Sequence, residues 1–288
     1  MTNQFQLPVL TEGKMPRLAA IHDICGYGKC SLAVVLPVVS LAGVDVLPAP
    51  TSLVSMQTNI PGFAFMDSTS FLQDNFRSWD QFGLKVDGIY TGFLGSAEQI
   101  QIILSYIQGH PESFVLIDPV MGDHGKAYPT YTEEMCEKMK ELVPQADLLV
   151  PNTTEASILL SKDYPGQNLN SQEAEALIDE LLELGCKAVV LKGIQRDGQV
   201  FNCIKGQNVD YKEISHTWHD QSLHGTGDLF ASCLCAGLFS GRSLEECVDF
   251  AGNFVYDSIV FSTSQEGCKE RGVNFEPLLS DLVDFCGF

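Results

Sequence analysis

The stretch His224-Gly225-Thr226-Gly227-Asp228-Leu229-Phe230-Ala231-Ser232 sets a hydroxyl residue between two glycines, adds a carboxylate, and runs directly into an apolar helical pattern. Backbone N–H groups at a helix start have no intrahelical partner and carry partial positive charge, so they cradle an anion such as phosphate. Gly225 and Gly227 allow close backbone approach and φ values that other residues resist. A carboxylate at Asp228 is repelled by a phosphate beside it, so its presence needs a compensating role. Taking the proton of an attacking hydroxyl is such a role, and the segment points to phosphoryl transfer to an alcohol. The bland alternative is that Asp228 only caps its helix.

Outward from this stretch, apolar β-rich runs alternate with longer helical patterns. Strands are expected at 18–24, 44–47, 88–90, 114–117, 147–150 and 187–191, with helices at 31–41, 67–79, 97–108, 133–142, 154–160 and 172–184. That alternation predicts an α/β fold, a central and mostly parallel sheet with helices on both faces. Segments 200–204 and 209–214 read as an antiparallel hairpin at one edge, and two helices, 228–239 and 244–261, close the domain. Pro37 falls inside a helical pattern and predicts a kink or a later helix start. Residues 1–16 read as a mobile lead-in, and 17–288 as a single domain.

The net charge of −20, from 37 acidic and 17 basic residues, argues against nucleic acid or an anionic membrane as partner. ATP remains compatible, because a metal ion and backbone amides meet its charge locally. No apolar run reaches the length of a membrane span, no secretory pattern opens the chain, and a cytoplasmic location is expected. The ten cysteines have no framework or paired CxxC spacing, which makes them small core residues in a reducing compartment.

Ligands gather beyond the carboxyl ends of parallel strands, and the polar clusters of this chain fall there. His22-Asp23 ends the first strand, Thr91-Gly92 follows another, Asp118-Pro119 ends a third, Asn152 to Glu155 follow a fourth, and Lys192-Gly193 a fifth. A carboxylate such as Asp118 near a triphosphate can hold Mg²⁺ directly or through water, against the plain reading of a strand-ending turn. Pro151-Asn-Thr-Thr-Glu155 opens a helix, with Thr153 or Thr154 as its cap and Glu155 at its positive end, yet Asn152 and Glu155 could also reach a metal-bound water. The turn Cys25-Gly-Tyr-Gly-Lys-Cys30-Ser31 has neither phosphate-loop nor dinucleotide spacing and reads as a substrate-lining loop, with Lys29 either paired with a phosphate or, the favoured reading, a solvated surface residue.

Taken in order, these motifs resemble those of the pyridoxal kinases of the ribokinase-like superfamily. The likeness spans roughly residues 17–261. It rests on the Gly-Tyr-Gly turn, on Thr91-Gly-Phe-Leu-Gly-Ser-Ala-Glu-Gln99, Asp118-Pro-Val-Met-Gly-Asp123, Pro151-Asn152 with Glu155, and Gly225-Thr-Gly-Asp-Leu-Phe230. It implies a kinase that moves the ATP γ-phosphate to the hydroxymethyl group of a vitamin B6 vitamer. Asp228 would be the base, with the Gly225, Thr226 and Gly227 loop as anion hole. Asp118, Asn152, Glu155, Lys192, Gly193 and Thr226 would serve ATP, and Asp118 and Glu155 the Mg²⁺ ion. Substrate contacts would come from His22, Asp23, Thr58, Tyr90, Tyr128 and Asp228, with Tyr128 in a flap over the site. A homodimer is implied, and a monovalent-cation requirement is left open.

The chain departs from that pattern at two places. His22-Asp23 stands where such kinases carry Ser or Gln-Ser, and Gln57-Thr58 where they often carry a His-Thr pair. Hydroxymethylpyrimidine kinase is the nearest competitor and shares the His before Gly-Thr-Gly, as His224 here. It typically has Cys where this chain has Asp228. A catalytically silent vitamer-binding protein is the alternative from another class, and the intact Asp228 loop argues against it.

Overall fold

The computed structural model describes residues 4–58 and 60–288. Its chain order is β1 (Arg17–Cys25), α1 (Leu32–Leu41), β2 (Asp45–Val54), β3 (Phe65–Asp67), α2 (Thr69–Phe82), β4 (Gly88–Thr91), α3 (Ala97–Gly109), β5 (Phe114–Ile117), β6 (Gly122–Asp123) and β7 (Lys126–Ala127). There follow α4 (Glu133–Leu142), β8 (Leu148–Leu149), α5 (Thr153–Leu159), α6 (Ser171–Glu183), β9 (Ala188–Arg196), β10 (Gln199–Gly206), β11 (Val209–Thr217), α7 (Thr226–Phe239), α8 (Leu244–Thr263), α9 (Cys268–Arg271) and α10 (Leu279–Cys286).

Nine strands form one sheet in the order β11-β10-β9-β8-β5-β4-β1-β2-β3. The six from β9 to β2 run parallel, β3 and β10 run against them, and β11 pairs antiparallel with β10 at the far edge. This is the expected α/β class, a mostly parallel sheet covered on both faces. Strand alternation divides the core in two: Leu18 and Ala20 of β1 face one apolar cluster with α1, α7 and α8, while Ala19 and Ile21 face another with α2, α3, α4 and α6. The chain leaves β1 toward β2 and returns to β4 on the other side of β1. The order therefore reverses at the β1/β4 boundary, where such sheets open a ligand crevice at their carboxyl ends.

Four features differ from the sequence-based expectation. Pro37 lies inside an unbroken α1. Losing one backbone bond and accommodating the ring costs about 3 kcal/mol. Burial of Leu32, Val34, Val35, Val38 and Val39 on the same helix outweighs it, at roughly 1.5–3 kcal/mol per side chain. The helix after Asn152 is capped by Asn152 itself, not by Thr153 or Thr154. The domain closes on α9 and α10 as well as the two helices expected. Residues 1–3 of the expected mobile lead-in lie outside the described residues, but Phe5 is buried edge-on against Phe114, and Asn208 bonds both its N–H and its carbonyl at 2.8 and 3.1 Å. Among the described residues no helix is long and apolar enough to cross a membrane.

Candidate active site

Helix α7 starts on Gly225, which has φ 83° and leaves the first turn without a side-chain cap. A Cβ at Gly225 would lie 1.8 Å from the Lys29 carbonyl oxygen. Only glycine fits there, and the fit presses the start of α7 against the β1–α1 turn. The free amides of that first turn point at the crevice as a ready anion cradle. The Thr226 hydroxyl, expected against a phosphate, donates back to the Leu223 carbonyl at 3.1 Å and fixes the loop.

Four charged side chains from four different elements converge on this helix end. Lys192 of β9 pairs with Asp118, just past β5, at 2.7 Å. Its amine also feels Glu155 and Asp228, and a Cβ on Gly227 would sit 3.7 Å from the Lys192 Nζ. Burial opposes the ammonium, but Asp118 and Glu155 outweigh it and keep the lysine protonated. Asp118 and Glu155 are almost wholly buried. Burial pushes Asp118 up against the pull of Lys192, and pushes Glu155 up to about 8. Backbone pairing of Asn152 with Lys192 brings the start of α5 beside β9. Gly193 follows, at φ 81°, its N–H held by Asn202 at 3.1 Å.

Asp228 is half-buried. Its carboxyl is raised to about 7, first by burial, with the Ser31 N–H and Lys192 pulling down and Asp118 and Asp23 pushing up. Asp228 is the third residue of α7, within its first turn, while the N-cap position is taken by Gly225. Asp23 is buried at the end of β1, bonded by the Ser31 hydroxyl, and raised to about 6 mainly by burial.

The remaining expected substrate contacts divide. His22 is fully enclosed, edge-on to Tyr90 with ring centroids 4.4 Å apart. A Cβ on Gly92 would strike its Nδ1 at 2.2 Å, and burial drives its pKa to about 3. His22 is therefore a neutral core histidine under the Thr91-Gly92 corner, not an exposed substrate contact. Tyr90 is equally enclosed. Thr58 is exposed and its neighbour Asn59 lies outside the described residues. Tyr128 stands beside the β6–β7 hairpin, within reach of the charges of Glu155, Asp123, Asp228 and Asp118. Lys29 pairs with Glu276 and takes no part in the cluster.

Asp118 and Glu155 together make a poor direct cage for a metal. Lys192 takes Asp118 Oδ1, and both Glu155 oxygens accept backbone amides, Met121 at 3.2 Å and Asn152 at 2.7 Å. Asn152 completes that capping box, bonding the Glu155 N–H at 2.9 Å and holding the hairpin through the Gly122 carbonyl at 2.9 Å. Among the described residues no three His, Cys, Asp or Glu side chains are grouped to hold a metal. The arrangement fits a hydrated hard cation touched through water, the usual state of Mg²⁺ at a triphosphate. Sequence reasoning missed Ser31 and Val120, both at positive φ, 52° and 45°. Such values are outliers for these residue types and gather at functional sites. The Val120 amide counters the rise at Asp118, as the Ser31 amide does at Asp228.

The sequence profile of the phosphomethylpyrimidine kinase family matches residues 36–273. A pyridoxine/pyridoxal/pyridoxamine kinase of Bordetella avium is 32% identical over 208 residues, 68% of each chain. A hydroxymethylpyrimidine/phosphomethylpyrimidine kinase of Bacillus subtilis is 26% identical over 61% of this chain and 64% of its own. The chain thus aligns with about two thirds of these relatives' length. A Bacteroides thetaiotaomicron protein, assigned as a phosphomethylpyrimidine kinase and crystallised with pyridoxal, superposes with a TM-score of 0.89 at 32% identity, covering 93% of this chain and 96% of its own.

Proposed function

The chain belongs to the phosphomethylpyrimidine kinase family, with its ribokinase-like fold, and from that premise we propose that it transfers the γ-phosphoryl group of ATP to the hydroxymethyl group of a B6 vitamer. The observation that carries this reading is Asp228: a half-buried carboxyl near neutral pKa, set in the first turn of a glycine-started helix and facing Lys192. We read residues 17–288 as one catalytic unit.

In this reading Asp228 orients the alcohol and accepts its proton as the bond to phosphorus forms. The α7 amides and Lys192 meet the charge on the moving phosphoryl group, which is where most of the rate gain in such transfers arises. Asn152 and the Glu155 capping box hold the start of α5 rigid beside them. Asp118, with Glu155 behind it, would hold Mg²⁺ through its water shell, and the ion would neutralise triphosphate charge. Replacing Asp118 by Asn is expected to raise the Mg²⁺ concentration needed for half-maximal turnover several-fold. An unchanged Mg²⁺ titration would remove Asp118 from that role.

The substrate is the sharper question, because both pyridoxal and hydroxymethylpyrimidine kinases are among the relatives. Both substrates are flat rings bearing CH₂OH. Asp228, where the pyrimidine kinases typically have Cys, and likeness to a structure holding pyridoxal support the vitamer. Steady-state assays with Mg-ATP on pyridoxal, pyridoxine, pyridoxamine and hydroxymethylpyrimidine should give the highest kcat/KM on a vitamer. A higher value on the pyrimidine reverses the assignment.

A further inference from the structure

Strand β9 carries one residue too many for its pairing with β10. Phe201 faces Ile194 and Cys203 faces Leu191, so Asn202 alone stands opposite both Lys192 and Gly193. This is a β-bulge, a device that bends a strand and re-aims a side chain, and bulges gather beside active sites. Its effect is visible in the core. Leu191 and Ile194, three residues apart, lie in the same apolar cluster, where regular alternation would send them to opposite faces. Gly193 supplies the bend at φ 81°. No atom lies within 4 Å of where its Cβ would stand, so the backbone, not the space, calls for glycine. From the bulge the Lys192 ammonium reaches Asp118 at 2.7 Å and the start of α7, where a Cβ on Gly227 would lie 3.7 Å from it.

A bulge takes backbone groups out of the ladder, and here a buried polar chain receives one of them. The Gly193 N–H donates to Asn202 Oδ1 at 3.1 Å, Asn202 Nδ2 donates to His216 Nδ1 at 3.4 Å, and His216 Nε2 donates to the Asp249 carbonyl of α8 at 3.1 Å. The direction of each bond follows from the two ends. A backbone N–H only donates and a carbonyl only accepts, which fixes the Asn202 amide and a neutral Nε2–H histidine between them. Burial lowers the pKa of His216 and favours that neutral form. Asn202 and His216 are each more than nine-tenths buried. Helix α8 makes room for the ring, since a Cβ on Gly252 would lie 2.3 Å from it.

We propose that Asn202 and His216 are positioning residues of the transfer step, tying the Lys192–Gly193 bulge to α8 and so holding the Lys192 ammonium at the start of α7. Neither meets the reacting atoms. This role rests on the reading in which Lys192 meets the charge on the moving phosphoryl group. A preorganised charge helps only if it is fixed before the reaction, and a displacement of about 1 Å can cost on the order of 10²-fold in rate.

The test is kcat and ATP KM, measured separately, for Asn202→Leu and His216→Leu, each alone and combined with Lys192→Met. The alcohol is whichever of the four substrates wild type turns over best, and the temperature lies below every variant's Tm. Asn202→Leu nearly keeps the volume and removes the acceptor for Gly193, so kcat should fall by about 10–10²-fold. His216→Leu leaves the Asn202 oxygen but frees its other end, so kcat should fall less, by several-fold. The ATP KM should stay within about twofold, because the loss is in the transition state. In the Lys192→Met background neither substitution should lower kcat by more than about twofold further, the non-additivity of residues acting along one path. A purely structural role would lower Tm and leave kcat of the folded protein at its wild-type value, and that result overturns the proposal. So does an equal loss with and without Lys192, or a raised ATP KM at unchanged kcat. If Asn202→Leu does not fold, His216→Leu decides alone. If Lys192→Met does not fold, Lys192→Met with Asp118→Asn serves as the background. Near-normal kcat in Lys192→Met defeats the reading of Lys192 itself, whereas low kcat there with wild-type kcat in Asn202→Leu defeats only the positioning.

Discussion

Asp228→Asn should lower kcat by about 10²-fold or more while leaving the fold and the ATP KM nearly intact, the usual reach of a general base. The substitution removes a charge and keeps the volume, and Asn is tolerated in a helix's first turn. Packing and the start of α7 therefore survive. What disappears is the only group in the first turn able to take a proton. With a pKa near 7, Asp228 also predicts that wild-type kcat/KM climbs as pH rises through neutrality, because the ionised form is the active one. The variant should lose that limb. Single-turnover rates on folded protein distinguish this from a structural role: a rate within a few-fold of wild type eliminates Asp228 as the base.

The sheet and its order of elements are readable from the sequence because two periodicities write them. Buried parallel strands such as Phe114–Ile117 are short apolar runs, and helices such as Glu133–Leu142 carry an apolar stripe with a threonine cap ahead. The candidate site is readable where local chemistry is unusual: glycines around Thr226, and carboxylates at strand ends. Contacts set by tertiary geometry are not. Nothing local distinguishes His22, sealed beneath Gly92, from a histidine at the mouth of a cleft. Glu155 carries both a capping pattern and a metal-binding type, and only the paths of the Met121 and Asn152 amides show that both its oxygens are taken. Ser31 and Val120 look like ordinary turn and strand residues. Both hold a positive φ that no local sequence pattern announces. The shortest strands escape sequence reading for a different reason: β3, β6 and β7 are two or three residues long, too short for any period to register.

Lys192→Met should be the most damaging single change outside Asp228, because it acts on both stability and turnover. The ammonium lies among the carboxylates of Asp118, Glu155 and Asp228, its side chain only 12% exposed. Methionine keeps the apolar stem and deletes the charge. Asp118 and Glu155 are then buried without a cation, and breaking a buried pair by removing one partner costs about 3–5 kcal/mol. At roughly 2–4 °C per kcal/mol for a protein near this size, Tm should fall by a readily measured amount. Lys205→Met provides the contrast. That lysine also pairs with two carboxylates, Glu175 at 2.8 Å and Asp179 at 2.6 Å, but at the surface, where a pair is worth about 0–1 kcal/mol. Turnover should separate the two further. If Lys192 meets the moving phosphoryl group, its loss costs about 10²–10³-fold in kcat, the scale of removing one preorganised charge-stabilising donor. Stability and catalysis can be told apart with a second substitution. Adding Asp118→Asn to Lys192→Met removes one stranded carboxylate, so it should recover part of the lost Tm. It supplies no cation, so kcat should stay low. Recovery of both would mean that Lys192 serves only to neutralise Asp118, and that the phosphoryl charge is met by the α7 amides alone.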